Sequence, residues 1–220
     1  MLTNDIEQLV VDLSKTSCRC HSSTAVNGLG CAALRQPLLR LLAQGKPISV
    51  EALARAIGQP PSEVAQAIQQ NMNVEYDEAG NIVAAALSLR PTPHKVEIDG
   101  RTLYAWCALG ALMYMPLLEQ PVRIESPGAV TGQPIRMTVT PQGVENIQPE
   151  TAVVSIVKPK PDLWIRDAFC NDVHFFSSLE TAASWLAQHP EATIIPVEEA
   201  FILGQQLWSS TKYDSYLLIG

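Results

Sequence analysis

The stretch that most constrains this chain is Leu103–Met115, the run LYAWCALGALMYM. It is poor in polar groups and predicts a helix, with Val96, Ile98 and Leu103 leading into it and Pro116 following it. An element of this kind has to be buried, so the rest of the chain must be organised around it. It carries one thiol, Cys107. A free cysteine in such a place is ordinarily a small core residue. A second lone thiol, Cys170, sits in the aromatic-rich segment Ala168–Phe176, and together the two make a candidate pair of soft ligands.

With 220 residues and 47% hydrophobic side chains, the chain can build a core without covalent staples. Its formal charge of −7 argues against nonspecific nucleic-acid binding or an acidic membrane surface as the main partner. No apolar run approaches the roughly 18 residues needed to cross a bilayer. The acidic start MLTNDIE has no basic region or apolar segment of a signal peptide, which makes the cytoplasm the expected location. The odd set Cys18, Cys20, Cys31, Cys107 and Cys170 suggests free thiols rather than a disulfide framework. Cys18 and Cys20 are spaced too tightly for the usual zinc half-site. With His21 and Cys31 they form either a metal clip or a leader with incidental thiols.

Residues 1–30 read as an amphipathic start (Ile6, Leu9, Val10, Leu13) and a Ser/Thr/Gly-rich connector. Leu34, Leu38, Leu41 and Leu42 fit one face of a helix over Cys31–Ala43, with Pro37 either kinking it or marking its first turn. Ser49 is the expected N-cap of a second helix that Gly58 ends. A third helix begins at Pro60-Pro61-Ser62 and buries Val64, Ala67 and Ile68. A strand from Val74, a turn at Glu78–Asn81 and a return strand through Leu89 complete a winged helix-turn-helix outline over 31–90. DNA binding is the obvious reading of that outline. Yet the third helix offers Ser62, Glu63, Gln66, Gln69 and Gln70 and no basic residue, so it brings none of the phosphate neutralisation such binding needs. A packed cap over the following domain is the better expectation.

Arg90–His94 reads as a linker to a second, α+β domain over 91–220. Expected there are a strand over Lys95–Ile98, a turn at Asp99-Gly100 and the central helix. Paired strands follow over Val122–Glu125 and Ile135–Thr140, then a β run over Thr151–Val157. A short helix leads to Cys170, and Val173–Phe176 has strand character. The remaining elements are a helix over Thr181–Gln188, a strand over Ile194–Val197, a helix over Glu198–Trp208 and a tail from Ser209.

Cys107 and Cys170 stand 63 residues apart, so only folding can bring them together. Three chemistries stay open on residue types alone. A cysteine nucleophile needs a histidine, and His174 would share a face with Cys170 if both lay on one strand. A redox dithiol would more usually be a C-x-x-C, which the chain lacks. Capture of a soft metal needs only convergence in a dry, apolar site, for which Trp106, Phe169, Phe175 and Phe176 could supply walls.

The motifs Leu103–Leu109, Ala129–Ile135, Phe169-Cys170, Val173–Ser177 and Glu199–Gln205, in that order, resemble the organomercurial (alkylmercury) lyases. The resemblance spans about Leu34 to Gln206 and includes the winged-helix-like segment Glu75–Ile82. It implies an α+β fold in which a three-helix, winged-helix-like domain precedes a mixed catalytic domain with antiparallel strands. It also implies protonolysis of a carbon–mercury bond in mercury detoxification. Cys107 and Cys170 would be the catalytic, mercury-binding cysteines. No cofactor would be required, and Hg(II) would remain bound as product. The implied partners are methyl- or phenylmercury substrates, a thiol reductant and a mercuric reductase, with no nucleic acid and no membrane. The chain departs from the family where an aspartate usually stands three residues after the first cysteine, because that position is Gly110. A further family cysteine, regarded as structural, is replaced by Gly128. The proton would then come from Cys170, Asp172 or Tyr104, with Trp106 and Phe169 walling the pocket. A protein that holds Hg(II) or Cu(I) on the same cysteines without catalysis is the alternative.

Overall fold

The computed structural model describes residues 29, 31–160 and 163–213. The expected N-terminal helix, Cys18, Cys20 and the end of the tail lie outside the described residues. Three helices come first: α1 (Cys31–Leu42), α2 (Val50–Ile57) and α3 (Pro61–Asn71). Their ends follow from local chemistry. The Ser49 hydroxyl accepts the Ala52 N–H at 3.2 Å, and Gly58 closes α2 in the left-handed region at φ 69°. Pro37 lies inside α1 without ending it. Leu34, Leu38, Leu39 and Leu42 of α1 are fully buried against Leu53, Val64, Ala67 and Ile68. Each such leucine contributes about 1.5–3 kcal/mol by burial.

The wing follows as β1 (Glu75–Tyr76) and β2 (Ile82–Ala85). Asp77 holds the turn between them by accepting the N–H groups of Ala79 and Asn81. The return strand does not run through to Leu89. Ala86 adopts φ 70°, and the chain reverses into β3 (Leu87–Ser88), which pairs antiparallel with β2. No glycine or proline flags this reversal in the sequence. His94 likewise belongs not to a linker but to β4 (His94–Ile98), where it is buried with its ring hydrogen-bonded to Ser126 at 3.0 Å. Burial holds its pKa down at about 3.

The central run is not one helix. Arg101–Ala105 forms β5, joined to β4 by a turn at Asp99-Gly100 with both residues at positive φ. Helix α4 covers only Ala108–Tyr114, and a 3₁₀ turn over Met115–Leu118 takes in Pro116. Leu103 and Ala105 are apolar enough for either structure; pairing with Val96, His94 and Leu87 decides for strand. The strands β6 (Val122–Pro127) and β7 (Pro134–Val139) pair as expected, and β8 (Val144–Gln148), which the sequence did not suggest, adds an edge. Its pattern of half-exposed residues lacks a buried stripe.

All these strands form one antiparallel sheet in the order β1-β2-β3-β5-β4-β6-β7-β8, so the wing and the second half of the chain share a sheet. A smaller antiparallel sheet has β9 (Val153–Ile156) between β10 (Phe175–Phe176) and β11 (Thr193–Pro196). The remaining helices are α5 (Ile165–Ala168), α6 (Leu179–Leu186) and α7 (Val197–Tyr213). Ser178 and Thr181 cap α6 reciprocally. Helix α7 runs past Trp208, so the first residues of the expected tail are helical. It crosses α4 closely: a Cβ at Gly204 would meet Met113 Cβ at 2.9 Å. One continuous core joins α1–α3, α4, α7 and both sheets. No helix among the described residues is long and apolar enough to cross a membrane.

Candidate active site

Cys107 ends the connection from β5 and serves as N-cap of α4, in extended backbone. The flanking backbone is pinned on both sides. The Trp106 N–H donates to the Ala86 carbonyl at 3.0 Å, and the Ala108 N–H donates to Val173 at 3.2 Å. The second contact ties the start of α4 to the segment just after Cys170. Cys170 opens a 3₁₀ turn over Cys170–Asp172 rather than lying on a strand. This turn is strapped from behind by the buried Ser155, whose hydroxyl donates to the Asp172 carbonyl at 3.0 Å and accepts the His174 N–H at 2.9 Å. The first half of the chain holds the other side. Asn73 Oδ1 accepts the Ile165 N–H at 3.4 Å, and Glu75 of the wing pairs with Arg166.

The two thiols are thereby brought to the same place, and both are buried. The Cys107 thiol is held below its ordinary pKa. The hydrogen bond from Cys170 is the largest cause, opposed by burial and aided by the Gly110 and Leu109 amides. The Gly110 N–H donates to Cys107 Sγ at 3.3 Å, as a helix N-terminus does for an anion. Cys170 is pushed well above the ordinary range, first by the same hydrogen bond, then by burial and the charge on Cys107. The two shifts oppose each other, so of the pair Cys107 is the sulfur that gives up its proton first.

They open into a cavity of about 60 Å³. Trp106, Leu109, Met113, Ile165 and Phe169 make its walls mainly apolar. Arg35, Met72, Asn73, Ala85 and Ala86 from the first half of the chain complete it. Trp106, Phe169 and Gly110, all named from the sequence, line this cavity. The buried indole N–H of Trp106 finds no acceptor among the described residues.

Two proposed proton donors do not belong to this cavity. Tyr104 is half-buried on β5, on the face opposite Leu103 and Ala105. Asp172 turns away to pair with Lys160 at 2.9 Å. His174 is no partner for Cys170 either. Since Cys170 is in a 3₁₀ turn, the shared strand face does not exist, and the His174 ring packs edge-on against Phe176 and Trp185. The sequence reading missed two polar groups, Arg35 and Tyr114. Tyr114 lies two helical turns beyond Cys107, a spacing legible in the sequence, whereas nothing local points to Arg35. Among the described residues no three His, Cys, Asp or Glu side chains cluster as metal ligands.

Fold and cavity define a class: a winged-helix segment joined to an antiparallel sheet, with a dry pair of thiols suited to a soft, two-coordinate ion. Residues 20–85 match the helix-turn-helix domain of alkylmercury lyase, and residues 87–209 match the MerB alkylmercury lyase domain. An alkylmercury lyase of Streptomyces lividans is 47% identical over 84% of this chain and 88% of its own length. One from Staphylococcus epidermidis is 51% identical over 79% and 81%. One from Bacillus cereus is 42% identical over 97% and 94%, so the likeness reaches nearer both termini than 34–206. The crystal structure of the mercury-bound form of MerB2 superposes with a TM-score of 0.70 at 26% identity, covering 91% of this chain and 99% of that one. The chain belongs to the alkylmercury lyase family.

Proposed function

We propose that this protein cleaves organomercurials by protonolysis, releasing a hydrocarbon and Hg(II), as a step of mercury detoxification. The observation that carries the reading is the convergence of buried Cys107 and Cys170 on one apolar cavity. The Cys107 thiolate attacks the mercury of R–Hg–X, forming a mercury–sulfur bond as X⁻ leaves. The soft metal favours the soft sulfur. The carbon–mercury electron pair then takes up a proton to give R–H. The proton that balances this step is the one Cys170 holds, and the thiolate so formed closes onto the metal. Hg(II) ends bound to two sulfurs. The apolar walls favour neutral organomercurials and keep water away from the developing carbanion.

Small thiols would release Hg(II) by exchange, and a mercuric reductase would take it up in the cytoplasm. All ligands to mercury are protein sulfur in this scheme, so no resident cofactor is invoked. The test is headspace analysis for methane or benzene after incubation with methyl- or phenylmercury. Wild type should release one hydrocarbon per substrate, and Cys107→Ser none. Wild type that takes up the organomercurial stoichiometrically and releases no hydrocarbon would overturn the proposal in favour of a metal trap.

A further inference from the structure

The slot left empty at Gly110 is bordered by a group with its own proton. A Cβ built at Gly110 would lie 3.4 Å from Cys107 Sγ and 3.9 Å from the Tyr114 ring edge. The Tyr114 ring edge and the sulfur thus border the same gap, one that a small side chain would fill. Its ring is buried, and its hydroxyl accepts a hydrogen bond from Arg35 of α1. The guanidinium carbon also sits 4.9 Å from the ring centroid. With Arg35 donating to the oxygen, the hydroxyl hydrogen is directed elsewhere, and both side chains line the same cavity as the two thiols. Neither Tyr104 nor Asp172 shares that cavity.

Building on the lyase reading above, we propose that Tyr114, braced by Arg35, relays the proton from Cys170 to the departing carbon. As the carbon–mercury bond breaks, its electron pair takes the phenolic hydrogen and R–H forms. The resulting phenolate is held by the adjacent guanidinium. It then takes the proton of the Cys170 thiol, and the new thiolate completes the two-sulfur complex of Hg(II). Tyr114 ends the cycle as it began, and the proton count matches the overall reaction. The winged-helix segment acquires a chemical role in this scheme: burial raises the Tyr114 pKa and keeps the phenol protonated, while Arg35 of α1 opposes that rise and holds the phenolate once it forms.

Tyr114→Phe tests the relay, because it removes one oxygen and keeps the ring that packs beneath Arg35. Phenylmercury uptake, read as loss of titratable thiols, should match wild type. Single-turnover benzene release should fall at least ~100-fold, the lower end of what a positioned acid contributes. Adding Gly110→Asp to Tyr114→Phe should restore release, which a merely structural role for the hydroxyl would not allow. Release within twofold of wild type overturns the relay, as does joint loss of uptake and release, or failure of the second change to rescue a variant that still takes up phenylmercury. Wild type that releases no benzene defeats instead the lyase reading on which the relay rests.

Discussion

Replacing Gly110 by aspartate places a carboxyl group beside the reactive sulfur. The added Cβ fits at ordinary contact distance, 3.4 Å from Cys107 Sγ, so the backbone need not move. A carboxylate there would come within about 4 Å of the thiolate. Two negative charges at that separation repel by about 4 kcal/mol at an effective dielectric constant of 20. That is worth about 3 pH units, so the pair cannot both ionise near neutrality. The proton the pair retains starts on the sulfur, the weaker acid of the two (about 8.5 against about 3.9), and passes to the introduced carboxyl group when mercury binds Cys107. The variant therefore carries a poised acid one bond rotation from the mercury-bound carbon. A positioned acid contributes about 10²–10⁴-fold over none. Because Tyr114 and Cys170 already supply a proton in the wild type, a smaller gain of about tenfold is expected. Single-turnover benzene release at saturating phenylmercury measures it, with near-ultraviolet circular dichroism reporting the fold. A rate equal to or below that of wild type, in a folded variant, would refute the claim that an acid is missing from this position.

Thiolate absorbance near 240 nm, taken as a difference from Cys107→Ala, should show Cys107 ionising below the ordinary thiol range. Cys170→Ala should move that step upward, since the hydrogen bond from Cys170 is its largest cause. Because the folded-state pKa of Cys107 is depressed, the stability it contributes is present at alkaline pH and is lost as pH falls through the folded value. An unmoved step in Cys170→Ala would contradict the role of Cys170 in lowering the Cys107 pKa. Gly204→Ala should destabilise the protein, because its methyl carbon would lie 2.9 Å from Met113 Cβ and 3.0 Å from Met113 Cα. Overpacking of about 1–3 kcal/mol exceeds the roughly 1 kcal/mol gain in helix propensity. The urea midpoint should therefore fall at constant m, and a midpoint at or above wild type would show that α4 and α7 can separate freely.

The residue motifs around Cys107 and Cys170 already placed the chain in its family, and local chemistry placed most helix ends. Ser49, Gly58 and Ser178 act on backbone groups within four residues, so their neighbours in sequence are enough to read them. The hairpin at Asp99-Gly100 is legible for the same reason. Tertiary structure decided what depends on partners far along the chain. Leu103–Ala105 is strand because β3 and β4 offer backbone partners on both sides. Ala86 turns back because its neighbours are held in a sheet. Cys170 meets Cys107 through Ser155, Val173 and the wing, and Arg35 reaches Tyr114 across 79 residues. The opposed acidities of the two sulfurs are a property of that meeting, because the field each group feels comes from atoms that only the folded chain assembles.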